Sequence, residues 1–576
     1  MARRWAALLT GLLALAAAAA ADKTTPEWLP RAQAIARGEH HRDATAAAAR
    51  PQRAPTESFY LTMRDGVRLW TLLWLPEDVS EPIATVMMRT PYYTDPESGW
   101  ATTWNGRGFA YIEQDQRGSG DSRDDRFQLW RMDGPDTYDT MEWIAAQPWS
   151  NGRVFTMGGS ANGVTQLAGM TAEPPWFKGM APMVASMHGH KTVYDGGAFR
   201  TGLVTPWMLA LGFPDTLLEV MQHEGDTEYW DPINIPGNEH TCHIPGVHQG
   251  GWWDIFVNEQ IDGWHVLQYD APDENCRGHH YLVIEPQGHC QYGEWPNSTS
   301  TPFFHDLTAY LFYRENGMPI PPDLQARADA TDWVTLYVMA PEGSTAGNYW
   351  TTLPHFPPAT DATYYLAADG VLASTPPVAA DNASITFTYD PDSPVRTIGG
   401  RELALPCGPR DQREVENRTD VLLFTSAPAA EPVAFVGKMT ATLHVATDQA
   451  DTDFSVKLTD VYPDGRSILW TDGIVRLRWR ERVEEPLPVV PGEVYEVHVD
   501  LSWTAYVLEP GHSIRVAISS SNFPRFDRNP NTGEPIAQPD GEGRVARNTV
   551  FFDATRPSRI TLPRVDFAEI PNNYEP

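Results

Sequence analysis

The stretch that decides the fold is VFTMGGSANGVTQLAGM, residues 154–170. It begins as a short apolar run typical of a strand, and a helical pattern is clear from Thr165 to Met170. Between the two, Gly158, Gly159 and Gly163 surround Ser160. The order predicts a strand that turns sharply into a helix. Ser160 is then either a nucleophile or an ordinary serine in a glycine-rich turn.

The whole chain has the composition of an acidic folded protein. Its 576 residues are 41% hydrophobic and 11% aromatic, with 21 tryptophans, whereas disordered chains contain few large apolar groups. The formal net charge is −32. A basic surface for nucleic acid or for an anionic membrane is therefore not expected.

The N-terminus has the pattern of a secretory signal peptide over residues 1–21. Arg3 and Arg4 precede an apolar run that ends in alanines before Asp22. The alternative for this segment is an uncleaved N-terminal anchor. No later stretch approaches the ~20 apolar residues that a membrane span needs. Residues 22–55 are predicted to be a leader or linker. We expect a secreted or periplasmic protein.

The four cysteines are compatible with an oxidising compartment. They allow two disulfides, or one disulfide and two buried thiols, and the sequence does not choose a pairing. Their spacing fits no zinc motif, so no metal is expected. The cysteines are Cys242, Cys276, Cys290 and Cys407.

Strand-like and helical segments alternate on both sides of the opening stretch. This alternation predicts an α/β domain whose parallel sheet is covered on both faces. We place its first part at residues 56–186 and its second part at 246–325. Residues 187–245 contain helical runs and no clear strand, which predicts a helical cap inserted between the two parts.

Beyond residue 325 the pattern changes to repeated period-two alternation. Val475, Leu477 and Trp479, for example, alternate with arginines, and proline and glycine turns separate such runs. Residues 326–576 are therefore predicted to form an all-β jelly-roll sandwich. We expect it to shield or complete the site, in preference to binding carbohydrate.

A serine nucleophile needs a base, and the base needs an orienting carboxylate. In α/β-hydrolases the chain order is Ser, then an acid, then His. Asp254 directly follows one predicted strand and His289 follows the next, so both meet this test. The competing histidines, none of which follows so clear a strand, are His243, His248 and His265.

The turn around Ser160 can also supply an oxyanion donor. Glycines beside a nucleophile allow a strained strand-to-helix turn, and the backbone N–H of Ala161 lies at the helix start. The chain has no His-Gly-Gly-Gly run to supply a second donor, so another group must do so.

Several segments together resemble the CocE/NonD serine hydrolase family. Residues 158–166 are similar to its G-x-S-Y-x-G-x-T-Q nucleophile turn. The other similar segments, in chain order, are Arg89-Thr-Pro-Tyr92, Gln114-Asp-Gln-Arg-Gly118, Tyr194-Asp-Gly-Gly-Ala-Phe-Arg200, Gly251-Trp-Trp-Asp254, Asp451-Thr-Asp-Phe454, Ser519-Ser-Ser-Asn-Phe-Pro524 and Asp527-Arg-Asn-Pro-Asn-Thr-Gly533. The resemblance spans the chain from residue 57 to the C-terminus.

The resemblance implies a role for each candidate residue. Ser160 corresponds to the family's nucleophile, Asp254 to its acid and His289 to its base. Its second oxyanion donor, a tyrosine hydroxyl, corresponds to Tyr92, with Tyr93 as the alternative. The implied reaction is two-step acyl transfer to water without a cofactor.

The chain also departs from the family pattern. Ala161 stands where the family commonly has tyrosine, and Glu285-Pro-Gln-Gly-His289 lacks the usual tryptophan before the base. Both changes predict an altered substrate pocket. The amino-ester hydrolases of the family bind the substrate amine with carboxylates, but the matching cap positions lie near Lys191 and Thr192, and only Asp195 is close.

These features predict an exported serine esterase acting on a small-molecule ester. An amidase or X-prolyl dipeptidyl-peptidase of the same family is the alternative enzyme. An inactive hydrolase scaffold that binds a partner is the alternative of another class. The oligomeric state is not predicted.

Overall fold

The computed structural model describes residues 53–289, 302–378, 383–403, 406–481, 483–536 and 543–574. The predicted signal peptide lies outside the described residues. Within these ranges, no helix combines the length and apolar character needed to cross a membrane.

A ten-stranded sheet forms the centre of the N-terminal half. The strands in this part of the chain are β1 Glu57–Thr62, β2 Arg68–Trp74, β3 Ile83–Thr90, β4 Ala110–Asp115, β5 Ser150–Gly159, β6 Phe177–Met183, β7 Tyr194–Asp195, β8 Ala198–Phe199, β9 Gly246–Trp253, β10 His280–Gly288, β11 Val334–Val338 and β12 Tyr349–Leu353. The order in the sheet is β1-β2-β4-β3-β5-β6-β9-β10-β11-β12. From β4 to β11 neighbouring strands are parallel.

Helices alternate with the strands of this half of the chain, as the sequence pattern predicts. They are α1 Gly99–Asn105, α2 Asp133–Ala145, α3 Ala161–Met170, α4 Gly189–Val193, α5 Thr201–Leu211, α6 Pro214–Gln222, α7 Val257–His265, α8 Pro302–Asn316 and α9 Pro322–Asp329. Strands β9 and β10 are buried along their whole length, which is typical of parallel strands covered on both faces. Short 3₁₀ helices lie at Asp231–Ile233 and Glu239–Thr241, and a π-helix lies at Val266–Asp270.

The region predicted as a helical cap contains α4, α5 and α6. It also contains a two-residue ribbon, β7 with β8, where the sequence shows no clear strand. Each strand of the ribbon has only two residues and the turn between them is formed by glycines, so the sequence shows no strand periodicity here. The domain boundaries given above stay a prediction.

The C-terminal half is a β-rich domain. Its elements are β13 Thr360–Ala367, β14 Val371–Ala373, β15 Ser384–Tyr389, α10 Arg413–Glu416, β16 Leu422–Thr425, β17 Val433–Thr447, β18 Asp453–Val461, β19 Ser467–Arg476, β20 Tyr495–Leu508, β21 Ser513–Ser519, β22 Ala546–Phe551 and β23 Arg559–Val565, with 3₁₀ helices at Ala368–Gly370, Leu477–Trp479 and Phe567–Glu569. The predicted strand over 475–480 is wrong beyond Arg476, because the backbone turns into the 3₁₀ helix although its side chains alternate. The jelly-roll assignment stays a prediction.

The structure pairs Cys242 with Cys276 in a disulfide. His280 lies beside these sulfurs, but they are bonded to each other. Cys407 is buried, and Cys290 lies outside the described residues.

Candidate active site

Ser160 lies at the sharp turn between β5 and α3. Its backbone has φ 56° and ψ −127°, a conformation that L-residues rarely adopt and that costs about 1–3 kcal/mol. Its N–H donates to the carbonyl of Met183 at 2.9 Å. The side chain stays partly exposed, whereas the next ten residues are buried.

Two of the glycines around Ser160, Gly158 and Gly163, are required by close packing. Gly158 has φ +140°, and a Cβ there would lie 2.8 Å from the Cβ of Asn162. A Cβ on Gly163 would lie 2.5 Å from the Cβ of Ala185. Contacts this short force the neighbours to move, so larger residues would displace the turn.

Gln166, which the sequence did not mark as a site residue, holds the turn in place. Its side-chain oxygen accepts hydrogen bonds from Thr156 Oγ1 at 3.0 Å and from the Ala181 N–H at 3.1 Å. Its amide group donates to the carbonyl of Gly158 at 3.0 Å. One buried side chain therefore joins β5, α3 and β6 around the serine. Only the family motif signals this position, because its partners lie 8 to 15 residues away on neighbouring elements and no periodicity marks them.

Asp254 and His289 lie at the same edge of the sheet as Ser160. Asp254 follows the last residue of β9, and His289 follows the last residue of β10. The two strands are parallel, with Gly288 paired to Trp253, so their carboxyl ends meet.

The three side chains form a continuous hydrogen-bonded chain. His289 Nδ1 lies 2.6 Å from Asp254 Oδ2, and His289 Nε2 lies 2.8 Å from Ser160 Oγ. Asp254 is fully buried, and its other oxygen accepts the backbone N–H of Phe256 at 2.7 Å. The geometry is that of a nucleophile, a base and an orienting acid.

Two groups are candidates for the oxyanion donors. Ala161 is the first residue of α3, where a backbone N–H has no acceptor within the helix. Tyr92 is 5% exposed, and its hydroxyl oxygen accepts a hydrogen bond from Trp207 Nε1 at 3.2 Å. Tyr93 is 57% exposed, and its hydroxyl bonds Arg123, so burial favours Tyr92.

Arg89 anchors the segment that carries Tyr92. Its buried guanidinium donates to Gln114 Oε1 at 2.8 and 3.0 Å and to Thr137 Oγ1 at 2.6 Å. It also forms an ion pair with Asp133, in which both side chains are almost fully buried. These contacts explain why the Arg-Thr-Pro-Tyr motif begins with an arginine.

The competing histidines have other partners or surroundings. His243 bonds Glu173 and Asp273 near the surface. His248 is fully buried and bonds His280 Nδ1 at 2.9 Å. His265 is exposed at the end of α7.

Comparison with known proteins gives matches over both halves of the chain. The family model of X-Pro dipeptidyl-peptidase (S15 family) matches residues 65–217, and the model of the X-Pro dipeptidyl-peptidase C-terminal non-catalytic domain matches residues 326–561. Cocaine esterase of Rhodococcus sp. (strain MB1 Bresler) is 28% identical over 571 residues, covering 87% of this chain and 97% of that protein.

Solved structures share the fold. An α-amino acid ester hydrolase superposes with a TM-score of 0.73 at 23% identity, covering 91% of this chain and 100% of that one. A CocE/NonD family hydrolase from Staphylococcus aureus gives a TM-score of 0.68 at 16% identity, covering 88% of this chain and 93% of that one. The shared architecture is an α/β-hydrolase domain with a C-terminal β-rich domain. In its ordered motifs and over both halves of its length, the chain is similar to the CocE/NonD serine hydrolases.

Proposed function

We propose that the protein is a serine carboxylesterase that cleaves esters through an acyl-enzyme on Ser160. The observation that carries the proposal is the unbroken chain of hydrogen bonds from Asp254 through His289 to Ser160. A base within 2.8 Å of a serine hydroxyl is the arrangement that activates a serine nucleophile.

The proposed reaction has two balanced steps. His289 Nε2 accepts the hydroxyl proton of Ser160 while Oγ bonds to the ester carbonyl carbon. The resulting oxyanion accepts hydrogen bonds from the Ala161 N–H and the Tyr92 hydroxyl. The imidazolium gives its proton to the departing alkoxide, which leaves as an alcohol. Water then attacks the acyl-enzyme, with its proton passing through His289 back to Ser160, and the carboxylic acid is released.

The residues near the acid favour an ester without a substrate amine. Ile255, Phe256 and Val257 follow Asp254 and carry no carboxylate. In the cap, Lys191 lies near the position where the amino-ester hydrolases are expected to have an amine-binding acid. Its ammonium is 3.9 Å from Asp262, so this position carries a cation. Asp195 is a nearby acid that could bind a substrate amine, so an amino-ester substrate stays an alternative.

A second candidate is an amidase or X-prolyl dipeptidyl-peptidase. The two matching family models, both named for X-Pro dipeptidyl-peptidases, favour it. Amide hydrolysis uses the same nucleophile and base, and protonation of the leaving amine by His289 replaces protonation of an alkoxide.

The test is a panel of aryl and alkyl esters assayed beside X-Pro anilides. We expect kcat/KM to be higher for esters, and loss of both activities in Ser160→Ala. Ser426→Ala in the β-rich domain is the control, since the Ser426 hydroxyl donates to the Ala427 carbonyl and accepts the Ile514 N–H, both within that domain. Faster anilide cleavage would establish the second candidate. A folded protein that cleaves neither class would indicate an inactive scaffold.

We also propose that residues 1–21 direct export. Expression of the full chain in a bacterial host, followed by fractionation and intact mass measurement, tests this. Export predicts a mature chain that begins at Asp22 in the periplasm or medium. A full-length chain retained in the membrane fraction would indicate an uncleaved anchor instead.

A further inference from the structure

A buried arginine of the cap contacts the loop that carries the proposed triad acid. Arg200 is 3% exposed and immediately precedes α5. Its guanidinium donates to the carbonyl of Ile255, the residue that follows Asp254. It also donates to Glu259 Oε1 at 3.1 Å and to the carbonyl of Lys191 at 3.1 Å. One side chain thus joins the cap to the acid's loop and to the first turn of α7.

The same arginine lies over the Phe256 ring, and that ring packs against His289, the proposed base. The guanidinium carbon lies 5.8 Å from the centre of the Phe256 ring. That ring packs perpendicular to the His289 imidazole, with 5.4 Å between ring centres. The backbone N–H of Phe256 donates to Asp254 Oδ1. Displacement of Phe256 would therefore disturb the acid and the base together.

We propose that Arg200 is a positioning residue for acyl transfer, which fixes the Asp254 carboxylate against His289 by holding the Ile255 carbonyl and the Phe256 ring. The proposal rests on the function proposed above. A guanidinium is suited to this task because its planar, rigid set of donors binds several acceptors in one orientation. Small errors in placing catalytic groups are costly, reaching about 100-fold in rate for 1 Å.

Glu259 gives the arginine a fixed anchor. The carboxylate is 4% exposed, and burial raises its pKa to about 7, an effect that the Arg200 charge opposes. Removing the guanidinium would leave this carboxyl group buried without its ion-pair partner, which destabilises proteins strongly. A lysine substitution, which keeps the charge and loses the planar donor set, is therefore the more informative variant.

The β domain fixes the backbone on both sides of Arg200. The Phe199 N–H donates to Asp527 Oδ1 at 2.9 Å, and the Asp527 N–H donates to the Phe199 carbonyl at 2.9 Å. The Gly202 N–H donates to the Arg525 carbonyl at 3.2 Å. Through these bonds the β domain holds Arg200 in place, which gives that domain an indirect role in catalysis.

The experiment compares Arg200→Lys and Arg200→Met with the wild type on one ester that the enzyme cleaves. The readouts are kcat, KM, thermal midpoint, and the downfield proton NMR signal of the imidazole N–H shared with Asp254. Arg117→Lys is the matched control, because Arg117 is also buried and forms a two-bond pair with Asp136 away from the triad loop.

We expect Arg200→Lys to lower kcat by about tenfold to 100-fold with KM changed less than threefold. The downfield signal should broaden or move, and Arg200→Met should show both effects more strongly. Arg117→Lys should lower the thermal midpoint without either effect. Unchanged kcat in a folded Arg200→Lys enzyme, or an unchanged NMR signal, would overturn the positioning role. Failure of the proposed function is a separate outcome, seen in the wild type as faster cleavage of X-Pro anilides than of esters or as cleavage of neither class.

Discussion

The indole N–H of Trp207 lies 3.2 Å from the hydroxyl oxygen of Tyr92 and donates to it. Because an indole nitrogen only donates, the Tyr92 oxygen is the acceptor in this bond and its O–H hydrogen is directed to a different acceptor. Trp207 stacks on Trp130, with ring centres 5.7 Å apart and 19° between the planes. A cap helix therefore orients the proposed oxyanion donor.

Trp207→Phe should weaken the oxyanion site while preserving most of the ring packing. Loss of one hydrogen bond of about 1 kcal/mol predicts a fall in kcat/KM of about threefold to tenfold. Tyr92→Phe should cost about 100-fold, the usual scale for one oxyanion donor. Steady-state kinetics on one ester measures both.

A double-mutant cycle separates orientation from packing. If Trp207 acts through Tyr92, adding Trp207→Phe to Tyr92→Phe should cause little further loss. Tyr93→Phe is the control and should match the wild type, since the Tyr93 ring is 57% exposed. If the losses caused by the two substitutions add in the double variant, Trp207 affects catalysis through pocket packing and not through Tyr92.

The sequence predicted those parts of the site that depend on local pattern. The apolar run before Ser160, the glycines around it and the strands before Asp254 and His289 all leave local signals. The order of these residues along the chain then indicates their meeting at one sheet edge, because parallel strands end together.

The remaining parts depend on contacts between distant segments. Arg200 meets the carbonyl of Ile255, 55 residues away, and Trp207 meets Tyr92, 115 residues away. No periodicity encodes such pairs. The 3₁₀ helix at Leu477–Trp479 was not predicted either. Its side chains alternate as in a strand, but its backbone hydrogen bonds are those of a 3₁₀ helix.

Ala161→Tyr tests the role of the small residue that follows the proposed nucleophile. The backbone N–H persists, so the acyl-transfer chemistry should remain. Ala161 is 3% exposed, so a tyrosine ring must occupy space near the serine. We expect kcat/KM to fall at least about tenfold more for bulky acyl groups than for acetyl esters. Ala161→Ser, a small replacement, should keep the wild-type preference; an unchanged preference in Ala161→Tyr would show that this position does not bound the acyl pocket.

Asp254→Asn should leave the fold intact and disable His289, the proposed base. An amide cannot hold the imidazole in the required tautomer, and the loss in kcat should reach about 10³- to 10⁴-fold. Asp460→Asn is a matched control, since Asp460 also bonds a histidine, His512, at 2.8 Å in a buried site of the β domain. A loss below tenfold in Asp254→Asn would contradict the assigned acid.

His243 should make a small part of the stability depend on pH. Its bonds to Glu173 and Asp273 raise the pKa of the imidazole above its ordinary value of 6.5. A raised pKa in the folded state stabilises the fold fully below the unfolded value and loses this contribution as pH rises through the folded value.

His243→Gln should therefore lower the urea midpoint more at pH 6 than at pH 9. The effect should be modest, because the imidazole is 42% exposed and solvent screens the pairs. His355→Gln, at an exposed histidine that bonds only a carbonyl oxygen among its described contacts, is the control. An equal loss at both pH values would show that charge on His243 contributes nothing.

Covalent labelling with a fluorophosphonate, followed by peptide mass spectrometry, tests the central claim most directly. The labelled wild type should carry one adduct, on Ser160, and Ser160→Ala should carry none. Absence of labelling in the folded wild type, or an adduct on another residue that persists in Ser160→Ala, would contradict the claim that Ser160 is an activated nucleophile.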